Sequence, residues 1–253
     1  MTQPQQPRLT SLRGVGALAL PLLLASAAAT QLVGCGDVVR GDGDGADDPR
    51  SVSAFRQVAN ATALEVQVAV GDAERVVVTC DRNLLEHIET SVDDGTLHIK
   101  TRRGAQLRPQ GRCAVDVAAP TLEGLRNSGS GSLTMRGPAP GLASVQASGS
   151  GKVAVDGIKA PSVSVSGSGS GSIKVAGEAE SVSLSVTGSG SIDAAELLSM
   201  SAEASVSGSG SISLHASTSV RARTSGSGGV AVHGAPAERD VKSSGSGQVR
   251  FED

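Results

Sequence analysis

The chain has 253 residues, with 22 Lys and Arg against 25 Asp and Glu, and a formal net charge of −3. Because basic residues do not outnumber acidic ones, the composition excludes a strongly basic surface of the kind that binds nucleic acid. The sequence contains no Trp, no Tyr and two Phe. It therefore lacks a set of aromatic side chains on which sugar rings or bases could stack.

Residues 1–34 have the pattern of a lipoprotein signal peptide. Two arginines precede an apolar run over residues 14–30, which is too short for an ordinary membrane span of about 20 residues. The run is followed by Leu-Val-Gly-Cys at residues 32–35, which resembles the lipobox of bacterial lipoproteins. This resemblance implies cleavage after residue 34, lipidation of Cys35 and anchoring to the bacterial cell envelope through acyl chains. The alternative is a plain secretory signal followed by an incidental cysteine.

Residues 35–50 form an acidic, glycine-rich segment. Gly36, and not an aspartate, follows Cys35 directly, which favours the outer membrane over retention in the inner membrane. The aspartates of this segment lie among glycines with no apolar period, which predicts a solvated, self-repelling tether. Asp42 and Asp44 are spaced like the start of a calcium-binding EF-hand loop, but no closing Glu follows. No metal site is predicted here.

Residues 51–127 form a less regular β region, which we expect to cap one end of a repeat stack. Alternating apolar residues predict strands over residues 64–70, 75–80, 91–100 and 113–120, with a turn at residues 93–95 and a brief helix over 83–90. Cys80 and Cys113 lie in these strands. Because an exported chain meets an oxidising compartment, these two cysteines are candidates for a disulfide. The alternative is two buried free thiols.

Residues 128–253 are organised by a repeated tetrapeptide, Ser-Gly-Ser-Gly. The seven copies recur at intervals of 18 to 20 residues, which indicates a structural period and not a flexible low-complexity tract. The copies start at Ser128, Ser148, Ser168, Thr187, Ser207, Ser225 and Ser244.

Apolar residues occupy the fifth and seventh positions after each start and the third position before it, separated by mostly polar residues. Such alternation is typical of half-buried β-strands on both sides of the tetrapeptide. Continued through the tetrapeptide, it places the glycines inside and the serines outside, at a corner where no Cβ fits. One coil cannot bury its apolar side alone, so the coils are predicted to stack. The predicted fold is all-β, a parallel β-helix or β-solenoid of about 19-residue coils with an irregular β N-terminal cap.

Several segments accompany these coils: Phe55-Arg56, the strands from Val66 to Val78, Asn83-Leu84-Leu85 and Asp93-Asp94-Gly95-Thr96-Leu97. Together with the coils, over about residues 52–250, they resemble the exported bacterial family called the auto-transporter adhesin head GIN domain. The resemblance implies a β-helical exported domain, a surface or adhesive role, and no catalytic residues to transfer.

The catalytic and metal-binding motifs that we tested do not fit. A Gly-x-Ser-x-Gly nucleophile motif fails because the repeats place glycine at the centre of each run, and Gly151-Lys152 lacks the earlier glycine of a phosphate loop. His215 and His233 occupy the same position in adjacent coils, and Glu252 continues that column. Two ligands make a poor metal site, so we expect an ordinary exposed pair. No enzyme activity and no cofactor is predicted.

The outward serines form the predicted binding face. They are Ser128, Ser130, Ser148, Ser150, Ser168, Ser170, Ser189, Ser207, Ser209, Ser225, Ser227, Ser244 and Ser246. Such an array could hydrogen-bond an envelope polysaccharide or a surface protein, organise water, or simply keep a tight corner soluble.

We therefore expect a non-enzymatic cell-envelope lipoprotein that presents a β-helical, adhesin-like binding module. It would contact the membrane through its lipid anchor and would not bind nucleic acid. One alternative is a structural envelope component that self-associates through the strand edges of its C-terminal coil. A more remote alternative is a polysaccharide-acting β-helix enzyme, which would require two acidic residues within reach of one another.

Overall fold

A computed structural model describes residues 37–252, and the polypeptide in this range is almost entirely β-strand. The strands before the first tetrapeptide are β1 (Asp37–Arg40), β2 (Gly45–Arg50), β3 (Gln57–Asn60), β4 (Glu65–Val70), β5 (Arg75–Asp81), β6 (Ile88–Asp93), β7 (Thr96–Thr101), β8 (Ala105–Arg108), β9 (Ala114–Ala119) and β10 (Gly124–Asn127). A short 3-10 helix, Arg82–His87, lies between β5 and β6. The brief helix predicted near this position therefore starts and ends slightly earlier than expected.

The repeat region continues with twelve strands, of which β14, β15 and β17 are long and extend over more than one face of a coil. These are β11 (Ser132–Met135), β12 (Ala139–Pro140), β13 (Ser144–Gly149), β14 (Lys152–Gly169), β15 (Ser172–Gly188), β16 (Ser191–Ala194), β17 (Leu197–Gly208), β18 (Ser211–His215), β19 (Ser219–Gly226), β20 (Gly229–His233), β21 (Glu238–Gly245) and β22 (Gln248–Glu252). Each pairs in parallel with the equivalent strand of the neighbouring coil. The predicted fold is confirmed, because this arrangement is a β-solenoid of about six turns.

Three faces surround the core. Face A carries the strands that end at the tetrapeptide: β10, β13, the last parts of β14, β15 and β17, then β19 and β21. Face B carries the strands that follow the tetrapeptide: β11, the first parts of β14 and β15, then β16, β18, β20 and β22. Face C is shorter and consists of β12, the middle parts of β14 and β15, and the start of β17.

The core contains the three apolar columns that the sequence alternation predicts, together with further buried residues of face A such as Val163 and Val186. On face B, the buried column after the tetrapeptide contains Leu133, Val153, Ile173, Ile192, Ile212 and Val230. On face A, the buried column before it contains Leu125, Val145, Val165, Leu184, Ala204 and Ala222. Stacking places each of these side chains against its equivalent in the next coil, and each fully buried Val, Leu or Ile contributes roughly 1.5–3 kcal/mol.

The N-terminal region forms the cap, but it also supplies a complete coil of its own. The first coil consists of β3 and β4, which pair in parallel with β10 and β11 on one side. On the other side, β7 covers β3 and β9 covers β4, again in parallel. Antiparallel strands then close this end, with β6 on β7, β5 on β9 and β2 on β5. The first coil is therefore enclosed between the cap and the repeats.

Two local predictions within the cap agree with the structure. The turn at residues 93–95 connects β6 and β7 as an antiparallel hairpin, with positive φ at Asp94 and Gly95. Such backbone angles match the twist of a two-residue hairpin turn. Cys80 and Cys113 are joined by a disulfide, with Cα atoms 4.2 Å apart.

The acidic segment is not a free tether over its described part, and that expectation was wrong. From Asp37, β1 pairs in parallel with β8, and β2 pairs antiparallel with β5. Its aspartates contact the cap: Asp44 accepts a hydrogen bond from Arg82 at 2.9 Å, and this bond raises the pKa of that guanidinium. Thr79 donates to Asp47 at 2.6 Å. Backbone pairing and polar contacts hold this segment, so no apolar period marks it in the sequence.

The C-terminal coil departs from the repeat pattern. In the inward columns of β21, Arg239 and Ser243 replace the Val220 and Thr224 of the preceding coil. The Arg239 guanidinium lies 4.1 Å from the ring centroid of Phe251, and Ser243 donates a hydrogen bond to the carbonyl oxygen of Gly247. Polar and charged groups thus cover the apolar column at this end.

Candidate binding surface: the serine ridge and its flanking grooves

Each tetrapeptide forms the corner between face A and face B. Its first glycine has a positive φ, between 97° and 115° in six of the seven copies, a conformation that glycine adopts without steric cost. Its second glycine has no room for a side chain. At Gly190, for example, an added Cβ would lie 2.6 Å from the carbonyl oxygen of Gly171 in the preceding coil. The chain therefore turns sharply while the coils remain in close backbone contact.

These corners are hydrogen-bonded from coil to coil, so they are rigid. The carbonyl oxygen of Gly169 accepts hydrogen bonds from the backbone N–H groups of Ser189 and Gly190, both at 2.9 Å. The same pair of bonds recurs at the carbonyl oxygens of Gly149, Gly188 and Gly208. A flexible loop would not repeat one bonding pattern through successive coils.

The prediction that both glycines face inward was wrong for the first of them. The second glycine is buried or half-buried, as predicted, whereas the first glycine is mostly exposed together with the serines on either side. Three consecutive exposed residues interrupt the alternation of a strand, because the positive φ turns the backbone outward at this point. The sequence pattern alone does not reveal this angle.

The exposed Ser-Gly-Ser triplets form a continuous convex ridge along the stack, which we call the serine ridge. It contains every residue of the predicted binding face, with Thr187 in the one substituted position. Within residues 37–252, only Ser128 of these serines uses its hydroxyl in a bond to protein, at 3.3 Å from the carbonyl oxygen of Asn60. The other hydroxyls are free to bind water or a ligand, at a spacing of about 4.8 Å per coil.

A groove runs along face A, beside the corner that face A shares with face C. Its floor consists of small residues in successive coils: Ser162, Ser181, Ser201 and Ser219. Its cavity volume is about 520 Å³. At its C-terminal end, Arg221 and Asp240 form an ion pair at 3.1 Å, whereas the lining residues Glu238 and Arg239 form no ion pair among the described residues.

A second groove, which we call the face B trough, lies directly beside the serine ridge. It has a volume of about 550 Å³ and crosses β16, β18, β20 and β22. Ser227 and Ser246 of the ridge form one side of it, while Asp193 and Arg250 stand at its two ends. Sequence reasoning missed this trough. Its only signal is the pair Gly229 and Ala231, which places the smallest side chains of the outward columns in one coil.

His215 and His233 lie in register on neighbouring strands, as the sequence predicts. His233 Nε2 lies 3.0 Å from Ser213 Oγ and 3.8 Å from a carboxylate oxygen of Glu252. A nucleophile triad requires the acid on the opposite ring nitrogen from the serine, and here both approach the same nitrogen. No group of three or more potential metal ligands occurs among the described residues.

Other predicted site residues lie apart from this surface. Cys35 lies outside the described residues. The disulfide between Cys80 and Cys113 belongs to the cap, at the opposite end from the trough. Within residues 37–252, no helix has the length and apolar character needed to cross a membrane.

Solved structures similar to this chain include proteins from Bacteroides and Parabacteroides species. A structure described as a putative adhesin from Bacteroides fragilis NCTC 9343 shares 20% identity and a TM-score of 0.79, covering 85% of this chain and 100% of its own. A structure described as a putative lipid binding protein from Parabacteroides distasonis ATCC 8503 shares 25% identity and a TM-score of 0.70, covering 86% and 100%. A further putative adhesin, from Parabacteroides merdae ATCC 43184, shares 21% identity and a TM-score of 0.64, covering 86% and 100%.

At such identities, the likeness to the two adhesin structures shows a common fold and nothing further. No protein with curated information matches the chain. The family model described as "Putative auto-transporter adhesin, head GIN domain" matches residues 54–236, which is more than half of the chain. The matched range includes the first coil, most of the cap and six of the seven tetrapeptide corners. The chain therefore belongs to this adhesin-like family of β-solenoid domains.

Proposed function

We propose that this protein is an exported, non-enzymatic cell-envelope lipoprotein whose solenoid binds a partner at the cell surface through the serine ridge. The observation that carries the proposal is the row of ridge hydroxyls, which are exposed, regularly spaced and almost free of bonds to the protein. A row of this kind on rigid backbone loses little conformational entropy when it binds a ligand. The partner that we propose is an envelope polysaccharide or a surface protein.

The family supports a surface role, because its description and its structural relatives refer to adhesins. The relative from Parabacteroides distasonis, described as a putative lipid binding protein, extends the range of ligands that this fold could carry. The lipid anchor at Cys35 is a separate element of the proposal. It rests on the lipobox-like residues 32–35, and it would hold the protein on the outer membrane.

The ridge is tested by substituting its centre. Ser168→Arg and Ser207→Arg place bulky charged side chains on the exposed ridge, while Ser217→Arg makes the same change on an exposed position away from it. With purified full-length protein, we expect the two ridge variants to lose binding to intact bacterial cells and to immobilised envelope polysaccharide. The Ser217 variant should bind like the parent. Unchanged binding by correctly folded ridge variants would exclude the ridge as the binding surface.

Anchoring and exposure are tested in cells that express the full-length chain. Cys35→Ala should release the protein from the membrane fraction, and metabolic labelling with a fatty acid should lose its signal. Protease added to intact cells should degrade the parent protein if the solenoid is displayed outside. Protection until the cells are permeabilised would place the protein in the periplasm and contradict a role in surface adhesion.

A further inference from the structure

The face B trough exists because one coil lacks the side chains that its neighbours carry. Along β16, β18, β20 and β22, the first outward column reads Ser191, Ser211, Gly229 and Gln248. The second outward column reads Asp193, Ser213, Ala231 and Arg250. β20 thus forms a low floor, with the long side chains of β22 rising on one side of it. The resulting volume of about 550 Å³ lies within the usual range of small-molecule sites.

The polar groups around this floor are of several kinds. Asp193 provides a carboxylate at one end, and one of its oxygens makes only a long contact of 3.4 Å with the backbone N–H of Ala195. At the other end, Arg250 donates to the carbonyl oxygen of the Gln248 side chain at 3.2 Å, which leaves the Gln248 amide protons available. Hydroxyls lie between these ends, from Ser211 on β18 and from Ser227 and Ser246 on the ridge.

We propose that the face B trough is a subsite for a neutral saccharide. This inference rests on the proposed function and locates the ligand within it. A saccharide carries hydroxyls that both donate and accept along its whole length, which matches carboxylate, hydroxyl, amide and guanidinium groups in series. An anionic ligand would be attracted to Arg250 but repelled by Asp193 and Glu252. A cationic ligand would be attracted to the two carboxylates but repelled by Arg250.

An extended peptide fits this trough less well. The backbone groups of β20 are already paired with β18 and β22, so the floor offers no free strand edge for a peptide to join. Ile192, Ile212 and Val230 line the trough from beneath, but their side chains are almost fully buried and offer a peptide little apolar surface. Peptide recognition normally uses one of these two features.

The affinity of this subsite is expected to be weak. No aromatic residue lines it, so the stacking that strengthens most saccharide binding is absent. We expect a dissociation constant of about 1 mM or weaker, which a few exposed hydrogen bonds can supply. Many copies on one cell surface would raise the overall avidity without any stronger single contact.

The test is saturation-transfer NMR with full-length protein and three soluble probes. The probes are maltohexaose as a neutral saccharide, trigalacturonate as an acidic one and tetra-alanine as a peptide. We expect signal transfer to maltohexaose, and Ala231→Gln should reduce it at least tenfold by filling the floor. Ala154→Gln makes the identical change in the same outward column of an earlier coil and should leave the transfer unchanged.

Transfer to trigalacturonate or tetra-alanine alone, no transfer to maltohexaose, or equal loss in both glutamine variants would overturn the inference. The ridge variants separate this outcome from failure of the proposed function. If Ser168→Arg abolishes cell binding while Ala231→Gln retains both cell binding and transfer to maltohexaose, the ridge acts without the trough. If none of these variants changes binding to cells, the proposed function fails as well.

Discussion

The second glycine of each tetrapeptide is a position where adding a single methyl group is expected to lower stability. In Gly190→Ala, the new Cβ would lie 2.6 Å from the carbonyl oxygen of Gly171, and this backbone atom cannot move without shifting a whole coil. We expect a loss of about 1–3 kcal/mol in the free energy of unfolding, as for other overpacked sites. Gly45→Ala is the matched control, because nothing lies within 4 Å of its added Cβ. Urea denaturation of both variants measures the difference.

The junction between the first coil and the repeats contains a buried pair of asparagines. The Asn60 side-chain amide donates to the Asn127 side-chain oxygen at 3.1 Å, and Asn127 donates to the carbonyl oxygen of Gly131 at 2.8 Å. Both residues are fully buried. Asn127→Ala would leave the buried Asn60 side-chain amide without its partner, at a cost of about 1–3 kcal/mol, while the Gly131 carbonyl oxygen would keep its bond from the Lys152 N–H at 3.2 Å. Thermal unfolding should show a lower midpoint than in Ser217→Ala, and equal midpoints would mean that water replaces the lost bonds.

The sequence predicted correctly which side chains are buried wherever apolar packing alone determines their orientation. The columns of Val153 and Val145 are buried as the alternation predicts, because an apolar side chain at every second position has only one favourable side. It failed at Gly169, whose positive φ turns the chain outward. Either glycine of the tetrapeptide satisfies the same alternation, so only the backbone angle distinguishes them.

At the level of elements, the disulfide connects two strands that are neighbours in space. Cys80 is the penultimate residue of β5 and Cys113 directly precedes β9, and these strands form one antiparallel pair of the cap. The bond closes a loop with a sequence separation of 33 residues. By the chain-entropy model, such a bond stabilises the folded state by about 3–4 kcal/mol.

Cys113→Ala should therefore lower the free energy of unfolding by roughly that amount. Adding a reductant to the parent protein should reproduce the loss, while the variant should not respond to it. Denaturation curves with and without dithiothreitol measure both effects. A parent protein that is insensitive to reductant, with only thiols detected by mass spectrometry, would contradict a bonded pair.

Element prediction was accurate for the repeats and poor for residues 37–50. The repeats are easy to recognise in the sequence because seven copies place apolar residues in the same buried columns. In contrast, β1 and β2 lie at the edges of their sheets and bury few side chains. Their register depends on polar partners such as Arg82 and Thr79, which are distant in sequence. No periodic signal arises from contacts of that kind. The face B trough escaped prediction for a related reason, since it is defined by missing side chains.

For the whole molecule, the two ends of the stack are closed differently. The N-terminal end is covered by the strands of the cap. At the C-terminal end, β21 and β22 are the last strands in their sheets among the described residues, and Val241 is 43% exposed. Arg239 points into the column that Val220 occupies one coil earlier, and an inward charge on an edge strand discourages pairing with another chain. This arrangement favours a separate binding module over the self-association alternative.

Replacing the charged side chain of Arg239 with an apolar one should make the C-terminal end self-associate. Arg239→Val would restore the apolar column, so two C-terminal ends could stack and bury it. We expect the average mass measured by light scattering to rise with protein concentration in this variant and to stay constant in the parent. Arg221→Val removes a charge from the outward face of β19 and is the control. A parent protein that already dimerises would favour the self-association alternative instead.

The position of β1, which begins at Asp37, bears on how far the protein could extend from a membrane. If Cys35 carries the acyl chains, only Gly36 separates it from β1, so the free linker spans no more than about 7 Å. A long tether would let the domain sample a wide volume above the lipid, but this one would hold the cap against the headgroups. The distance that the protein extends from the membrane would then depend on the length of the stack of coils. This length is on the order of 40 Å, at about 4.8 Å per strand. The C-terminal coils, which carry the face B trough, would be the part held farthest from the bilayer if the stack stands upright.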